Sequence, residues 1–218
     1  MLAGRGPTTQ RLSRWFAAPF VLLRVPPNAL TVIGALLVCF PAAYAAQADY
    51  LLAGLLFGLV SLFDMVDGAV ARATNRVTPF GGFLDSVMDR VADAAILIGI
   101  GMGVTGSWWW ALIGAALVGQ YATSYARARI YQEAAPPATM WRQFFERPER
   151  VIFLSFLLLG QGYANRFGAP TLPTPGWVAS ETTLLFWGLV LYSVLANLTA
   201  ISRVYKAREF LAGRIRAN

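Results

Sequence analysis

Residues 61–93 read SLFDMVDGAVARATNRVTPFGGFLDSVMDRVAD, and they place aspartates inside two apolar stretches of the chain. A carboxylate at the centre of a membrane-spanning helix costs about 2.5–3.5 kcal/mol, so a group of carboxylates there requires compensation. Helix capping or ion pairs with Arg72, Arg76 and Arg90 could compensate one or two of them, but not all. The aspartates are Asp64, Asp67, Asp85, Asp89 and Asp93.

The spacing of these aspartates predicts that they meet. Asp64 and Asp67 are three residues apart, and the other aspartates follow one another at intervals of four, so each set lies on one face of its helix. A short turn over residues 76–82 makes the two helices antiparallel and brings the two faces together near one membrane surface. Clustered carboxylates without imidazole or thiolate are typical ligands of Mg²⁺ or Mn²⁺. Two such ions commonly assist displacement at phosphorus, so we predict a site for two divalent ions.

The composition excludes several kinds of catalysis. Of the 218 residues, 57% are hydrophobic and 13% are charged, whereas soluble proteins carry roughly 25% charged residues. The chain has no histidine, and Cys39 is its only cysteine. Triads that need histidine, HExxH zinc sites and CxxC motifs are therefore absent. Proton transfer must involve a carboxylate, a tyrosine, Lys206 or water.

The apolar runs predict an all-α integral membrane protein with six transmembrane helices. At about 1.5 Å per residue, the first long run can cross a bilayer. With the N-terminus in the cytoplasm, every lysine and arginine except Arg166 falls on the inner side. We therefore predict a multi-pass protein of the cell membrane, with both termini and the aspartates on the cytoplasmic side. The predicted spans are 28–46, 50–73, 80–104, 107–132, 150–165 and 182–204.

The termini divide the chain into three predicted parts. Residues 1–27 predict an amphipathic helix on the cytoplasmic membrane surface, because the apolar stretch at 15–23 is too short to span a bilayer and follows basic residues. A solvated basic tail is the alternative for this segment. Residues 28–210 form the six-helix domain, and residues 211–218 form a basic C-terminal tail.

The aspartate segment resembles the signature of the CDP-alcohol phosphatidyltransferases, D-x2-D-G-x2-A-R-x8-G-x3-D-x3-D. Every fixed position matches at the correct spacing, and the six-span layout is also similar to that family. The resemblance implies that a hydroxyl attacks the phosphorus that carries the lipid alcohol of CDP-diacylglycerol, and that CMP leaves. The matching residues are Asp64, Asp67, Gly68, Ala71, Arg72, Gly81, Asp85 and Asp89.

The resemblance also implies roles for individual residues. Asp64, Asp67, Asp85 and Asp89 hold two Mg²⁺ or Mn²⁺ ions, and Asp89 is also the general base. Residues 27–31 are similar to the P-N-x-x-T segment of the family. The implied contacts to the CDP-lipid come from Asn28, Ala29, Leu30, Thr31, Gly68, Ala71, Arg72, Thr78 and Gly81.

Residues 124–129, SYARAR, and 145–150, FERPER, resemble the phosphatidylinositol phosphate synthases of actinobacteria. The resemblance implies inositol 1-phosphate as the acceptor. Its phosphate would be bound by Arg127, Arg150, Arg203 and Arg147, and Arg127 stands where those enzymes commonly have lysine. Glycerol 3-phosphate or another polar alcohol is the alternative acceptor. The arginines could also serve only the positive-inside orientation.

Other interpretations stay open at this point. A cation transporter would also use intramembrane carboxylates, but the aspartates lie at one depth, and no inverted repeat with broken helices is evident. A non-catalytic scaffold is a third class. The GxxxG pairs Gly54/Gly58 and Gly99/Gly103 predict close helix packing, within the chain or in a homodimer, which the resemblance favours. Membrane lipids are predicted partners, and nucleic acid is not.

Overall fold

The structure is a computed structural model that describes residues 17–134, 136, 144–168, 173–176 and 178–213, apart from the side chains of residues 64 and 65. All regular secondary structure in these residues is helical, which confirms the predicted all-α fold. Residues 17–22 are helical, and a 3₁₀ turn at Ser180–Thr182 precedes the last helix. The longer helices are α1 (Pro27–Leu37), α2 (Cys39–Ala46), α3 (Tyr50–Ser61), α4 (Phe63–Ala73), α5 (Pro79–Gly103), α6 (Trp108–Glu133), α7 (Arg147–Phe167) and α8 (Thr183–Leu211).

The first two predicted spans each consist of two consecutive helices. Val38 separates α1 from α2, and Leu62 separates α3 from α4, and both residues keep right-handed helical backbone angles. Pro41 explains the first break, because it has no N–H to donate to the carbonyl four residues earlier. Each pair taken together, Pro27–Ala46 and Tyr50–Ala73, is long and apolar enough to cross a membrane.

Ser180–Leu211 is the third candidate span in the described part of the chain. The sequence predicted an end at residue 204, but α8 continues to Leu211. Positive side chains such as Arg208 in the last turn interact favourably with the helix dipole, which supports this extension. Helices α5, α6 and α7 have 25, 26 and 21 residues and correspond to the other three predicted spans.

The helices pack in a closed ring. In order around the ring come α2, α5, α6, α8, α7 and α3, and α3 packs against α2 again. Helix α1 lies against both α4 and α5, so it joins the two helices that carry the aspartates. The core of the bundle contains large buried side chains, among them Trp109, Tyr50, Tyr192, Phe57 and Ile96.

A small apolar cluster supports the aspartate-bearing helices. Ala17, Leu30, Val66 and Val70 are buried together, and Phe20 packs against them. The helical residues 17–22 therefore lie against α1 and α4. The rest of the predicted N-terminal surface helix, before residue 17, and the tail from residue 214 onward lie outside the described residues.

Three GxxxG glycines mediate packing within the chain. A Cβ atom on Gly99 would collide with the backbone of Ala42, and a Cβ on Gly103 would collide with the backbone of Ala45. A Cβ on Gly54 would lie 2.7 Å from a backbone nitrogen of α7. Of the two uses predicted from the sequence, the structure shows the intrachain use for these three glycines.

This packing predicts the effect of adding one methyl group. Gly99→Ala should destabilise the folded chain by about 1–3 kcal/mol, because the backbone of Ala42 cannot move aside easily. Gly114→Ala in α6 is the matched control, since nothing lies within 4 Å of its Cβ position. Helix propensity favours that change by up to about 1 kcal/mol. Thermal unfolding in detergent measures both variants, and equal unfolding temperatures would contradict the packing described here.

Candidate active site

The turn between α4 and α5 is fixed by Thr78 and Pro79. The hydroxyl oxygen of Thr78 accepts a hydrogen bond from the backbone N–H of Gly81 at 3.0 Å, which caps α5. Pro79 occupies the first helical position, where a backbone N–H would have no helical partner. Asn75 takes a left-handed conformation with φ of 53°, which asparagine adopts more readily than most residues. The start of α5, and hence the position of its aspartates, is therefore set locally.

Asp67 of α4 is buried and accepts two hydrogen bonds. The hydroxyl of Thr31 donates to its Oδ2 at 2.6 Å, and the backbone N–H of Gly68 donates to its Oδ1. Buried polar groups generally require such partners. Because Thr31 lies on α1, this bond joins the P-N-x-x-T segment to the aspartate signature.

Helix α1 also lies close to the start of α5. A Cβ on Gly81 would lie 3.1 Å from Asn28 Oδ1 and 3.2 Å from Thr78 Oγ1, so glycine leaves room for both groups. Within α4, a Cβ on Gly68 would lie 3.2 Å from a guanidinium nitrogen of Arg72. The Arg72 side chain therefore folds back over Gly68. These residues gather where α1, α4 and α5 meet.

The other residues predicted for this region differ in exposure. Leu30 is buried in the small apolar cluster, so it supports α1, whereas Ala29 and Ala71 are half-buried. Asp85 of α5 is also half-buried. Asp64 lies in α4 one turn before Asp67, and its side chain is outside the described part of the chain.

Asp93 lies at the centre of a group of ion pairs. Its Oδ2 is 3.0 Å from Arg90 Nη1 and 3.4 Å from Arg150 Nη2, and its Oδ1 is 3.4 Å from Arg147 Nε. Arg147 also places Nη1 2.9 Å from Asp89 Oδ1. Asp93 and Arg150 are only 4% and 3% exposed. We call these five residues, Asp89, Arg90, Asp93, Arg147 and Arg150, the Asp93 cluster.

Arg203 of α8 is held beside this cluster. Its guanidinium donates to the backbone oxygen of Thr123 at 2.8 Å and to Glu146 Oε1 at 3.0 Å. The Nε atoms of Arg150 and Arg203 are buried, and neither has a hydrogen-bond partner among the described residues. Arg127 is half-buried, and its charge lies close enough to repel that of Arg203.

The structure thus places the predicted acceptor residue Arg147 beside Asp89, and it places both Arg147 and Arg150 against Asp93. It also contains Arg90–Asp93, one of the ion pairs that the sequence offered as an alternative explanation of the aspartates. No individual role was predicted for Asp93 from the sequence. The one signal for it was that it continues the four-residue spacing of the aspartates on α5.

The aspartates suit a divalent metal by their chemistry. Asp67, Asp85 and Asp89 offer only oxygen ligands, as Mg²⁺ and Mn²⁺ prefer, and Thr31 orients one of them. Among the described side chains, no group of three acidic, histidine or cysteine residues lies close enough to hold a metal ion. Asp64 does not enter that result, because its side chain is not described.

Comparisons with known proteins agree with the aspartate signature. Residues 24–201 match the family model of the CDP-alcohol phosphatidyltransferases. The archaetidylinositol phosphate synthase of Pyrococcus horikoshii is 34% identical over 87% of each chain. The phosphatidylinositol phosphate synthase of Corynebacterium glutamicum is 33% identical over 96% of this chain and 92% of the relative.

A solved enzyme shares the fold. The crystal structure of Mycobacterium tuberculosis phosphatidylinositol phosphate synthase with CDP-DAG bound gives a TM-score of 0.70 at 26% identity, covering 90% of this chain and 94% of that one. The same enzyme in complex with manganese and citrate gives 0.69 at 24% identity, covering 90% and 88%.

The chain therefore belongs to the CDP-alcohol phosphatidyltransferase family, which confirms the resemblance seen in the aspartate segment. It is a transferase of phospholipid biosynthesis, and the cation transporter and the scaffold are the wrong classes. The similarity to actinobacterial phosphatidylinositol phosphate synthases is confirmed as well.

Proposed function

We propose that the chain transfers the phosphatidyl group of CDP-diacylglycerol to a hydroxyl of inositol 1-phosphate, which gives phosphatidylinositol phosphate and CMP. The observation that carries the proposal is Arg147, which contacts both Asp89 and Asp93 next to the buried Arg150. Cationic groups for an acceptor phosphate thus lie beside the residue that we assign as the base. The archaeal relative, named as an archaetidylinositol phosphate synthase, and the bacterial relative, named as a phosphatidylinositol phosphate synthase, support this acceptor.

The reaction is a displacement at phosphorus. The oxygen of the acceptor hydroxyl bonds to the phosphorus that carries the diacylglycerol, and the bond from that phosphorus to the bridging oxygen of CMP breaks. We assign Asp89 as the base that takes the hydroxyl proton, since no histidine is available. An acceptor whose phosphate is bound by Arg147 lies next to this base, because Arg147 Nη1 is 2.9 Å from Asp89 Oδ1.

We assign Asp64, Asp67, Asp85 and Asp89 as ligands of two divalent ions, Mg²⁺ or Mn²⁺. When bound, such ions offset the charge of the pyrophosphate and the charge that develops on departing CMP. Without them the carboxylates would repel the pyrophosphate. The hydrogen bonds that Asp67 accepts from Thr31 and from the Gly68 backbone orient one of these ligands.

We place the CDP-lipid where α1, α4 and α5 meet. Arg72 offers a planar guanidinium that can bind the pyrophosphate through two hydrogen bonds, and Gly68 beneath it leaves room for that guanidinium. Gly81 keeps the α1 and α5 ends close. The full set is Asn28, Ala29, Leu30, Thr31, Gly68, Ala71, Arg72, Thr78 and Gly81, in which the buried Leu30 acts through the position of α1.

The acceptor phosphate is assigned to Arg127, Arg147, Arg150 and Arg203. Guanidinium groups suit a phosphate because they donate parallel hydrogen bonds. Arg150 and Arg203 are both buried and lie close to the other arginines, so their charges add to the cationic character of this region. Glycerol 3-phosphate presents the same phosphate, so phosphatidylglycerophosphate synthesis is the second candidate function.

We further propose six membrane spans, formed by α1–α2, α3–α4, α5, α6, α7 and α8, with both termini and the site on the cytoplasmic side. The distribution of lysine and arginine supports this orientation. The surface helix (1–27) and the basic tail (211–218) then flank the membrane domain (28–210). A homodimer stays a prediction, and it would use a surface other than the face of α5 that Gly99 and Gly103 present to α2.

Release of CMP by the purified chain tests the proposed reaction. With CDP-diacylglycerol and Mg²⁺, we expect release with inositol 1-phosphate and little with glycerol 3-phosphate. Asp89→Asn should fold and release none, because the base is lost. Asp49→Asn is the matched control, since asparagine caps α3 as well as aspartate does.

Two results would contradict parts of this assignment. Activity with glycerol 3-phosphate alone would establish the second candidate function in place of the first. Turnover by Asp89→Asn at the wild-type rate would remove Asp89 from the reaction.

Thr31 gives a test of the metal site that does not depend on turnover. Thr31→Val removes the donor to Asp67 and should weaken Mn²⁺ binding about ten- to hundredfold, as loss of a ligand-orienting hydrogen bond generally does. Thr31→Ser keeps the hydroxyl and should bind like the wild type. Electron paramagnetic resonance titration of free Mn²⁺ measures all three proteins. Identical affinities would show that Thr31 does not orient a metal ligand.

A further inference from the structure

Asp93 lies outside the family signature, one helical turn after Asp89. We propose that Asp93 is a positioning residue for the transfer reaction. It holds Arg147 and Arg150 in the orientation in which they bind the acceptor phosphate. This inference rests on the function proposed above and adds a residue to it.

The two carboxylate oxygens of Asp93 contact different arginines. Oδ2 faces Arg90 from its own helix at 3.0 Å and Arg150 from α7 at 3.4 Å. Oδ1 faces Arg147, also from α7, at 3.4 Å. The contacts of Asp93 to Arg147 and Arg150 are both long for hydrogen bonds, so attraction between opposite charges provides most of their interaction energy. That attraction is effective because Asp93 and Arg150 are almost completely buried.

The ion pairs of Asp93 connect α5 to α7. Helices α5 and α7 are not adjacent in the ring of described helices, so these ion pairs link two elements that other helices separate. The distance between Asp89 and the arginines of α7 is therefore set through side chains. Asp93 contacts both Arg147 and Arg150, and Arg147 continues to Asp89. Asp93 thereby fixes where an acceptor phosphate lies relative to the base.

The charge of the Asp93 cluster also fits an anionic ligand. Its three arginines exceed its two aspartates, so the cluster has surplus positive charge, and two of its members, Asp93 and Arg150, are almost completely buried. A bound phosphate would balance that surplus. Without the Asp93 charge, the arginines would turn toward the remaining carboxylates, Asp89 included. Acceptor binding would then weaken, while the CDP-lipid region at α1 and α4 would stay unchanged.

Steady-state kinetics of Asp93→Asn test the proposal. We expect the KM for inositol 1-phosphate to rise about tenfold or more, because the variant loses the negative charge that attracts Arg147 and Arg150, while the KM for CDP-diacylglycerol changes less than about twofold. Asp93→Glu keeps the charge and should recover much of the acceptor affinity. Ser193→Ala is the matched control, because it removes a buried contact to the Leu112 oxygen away from the site and should leave both constants unchanged.

The opposite outcomes are equally specific. An unchanged acceptor KM, or an equal rise for both substrates, would overturn the positioning role. If neither Asp93 variant folds, Asp93 serves the fold alone and the proposal fails. If the wild type uses glycerol 3-phosphate only, the acceptor proposed above is wrong. The KM for glycerol 3-phosphate is then compared with the KM for CDP-diacylglycerol in the same variants, and the positioning role is judged by the same criteria.

Discussion

The buried ion pairs around Asp93 are the interaction on which the site depends. Charged side chains in an apolar helical bundle are tolerated only when opposite charges neutralise them, and removal of one partner of a buried pair costs about 3–5 kcal/mol. Asp93 meets this requirement for Arg150 and, with Asp89, for Arg147. The same contacts bring the arginines of α7 to the aspartates of α5, so one electrostatic constraint would serve both stability and the function that we propose.

The packing of the other helices positions α5 and its aspartates. Gly99 and Gly103 allow the backbones of α5 and α2 to come into contact. The Thr78 cap sets where α5 begins. Helix α1 then joins α4 to α5 through Thr31 and Asn28. The lipid-binding and acceptor-binding regions that we propose therefore lie on either side of the same α5 aspartates. A transfer reaction needs this arrangement, because its two substrates must meet at one phosphorus.

The sequence predicted the features that depend on residues close together in the chain. The all-α fold was predicted from the apolar runs and the family from the resemblance of the aspartate segment, and the structure and comparisons confirm both. The sequence did not predict that Arg147 pairs with Asp89 and Asp93, because more than fifty residues separate them and only tertiary packing brings them together. It also did not predict the break at Val38 or the extension of α8. The predicted spans came from the lengths of the apolar runs, and these lengths do not show where backbone hydrogen bonding within a helix is interrupted or continues.

The central claim is that the aspartates hold divalent ions while the arginines beside them bind the acceptor phosphate. Anomalous diffraction from crystals grown with Mn²⁺ and inositol 1-phosphate measures this most directly. We predict manganese peaks at Asp64, Asp67, Asp85 and Asp89, and the phosphate within hydrogen-bond distance of Arg147 and Arg150. Manganese absent from these aspartates, or a phosphate bound away from the arginines, would contradict the claim.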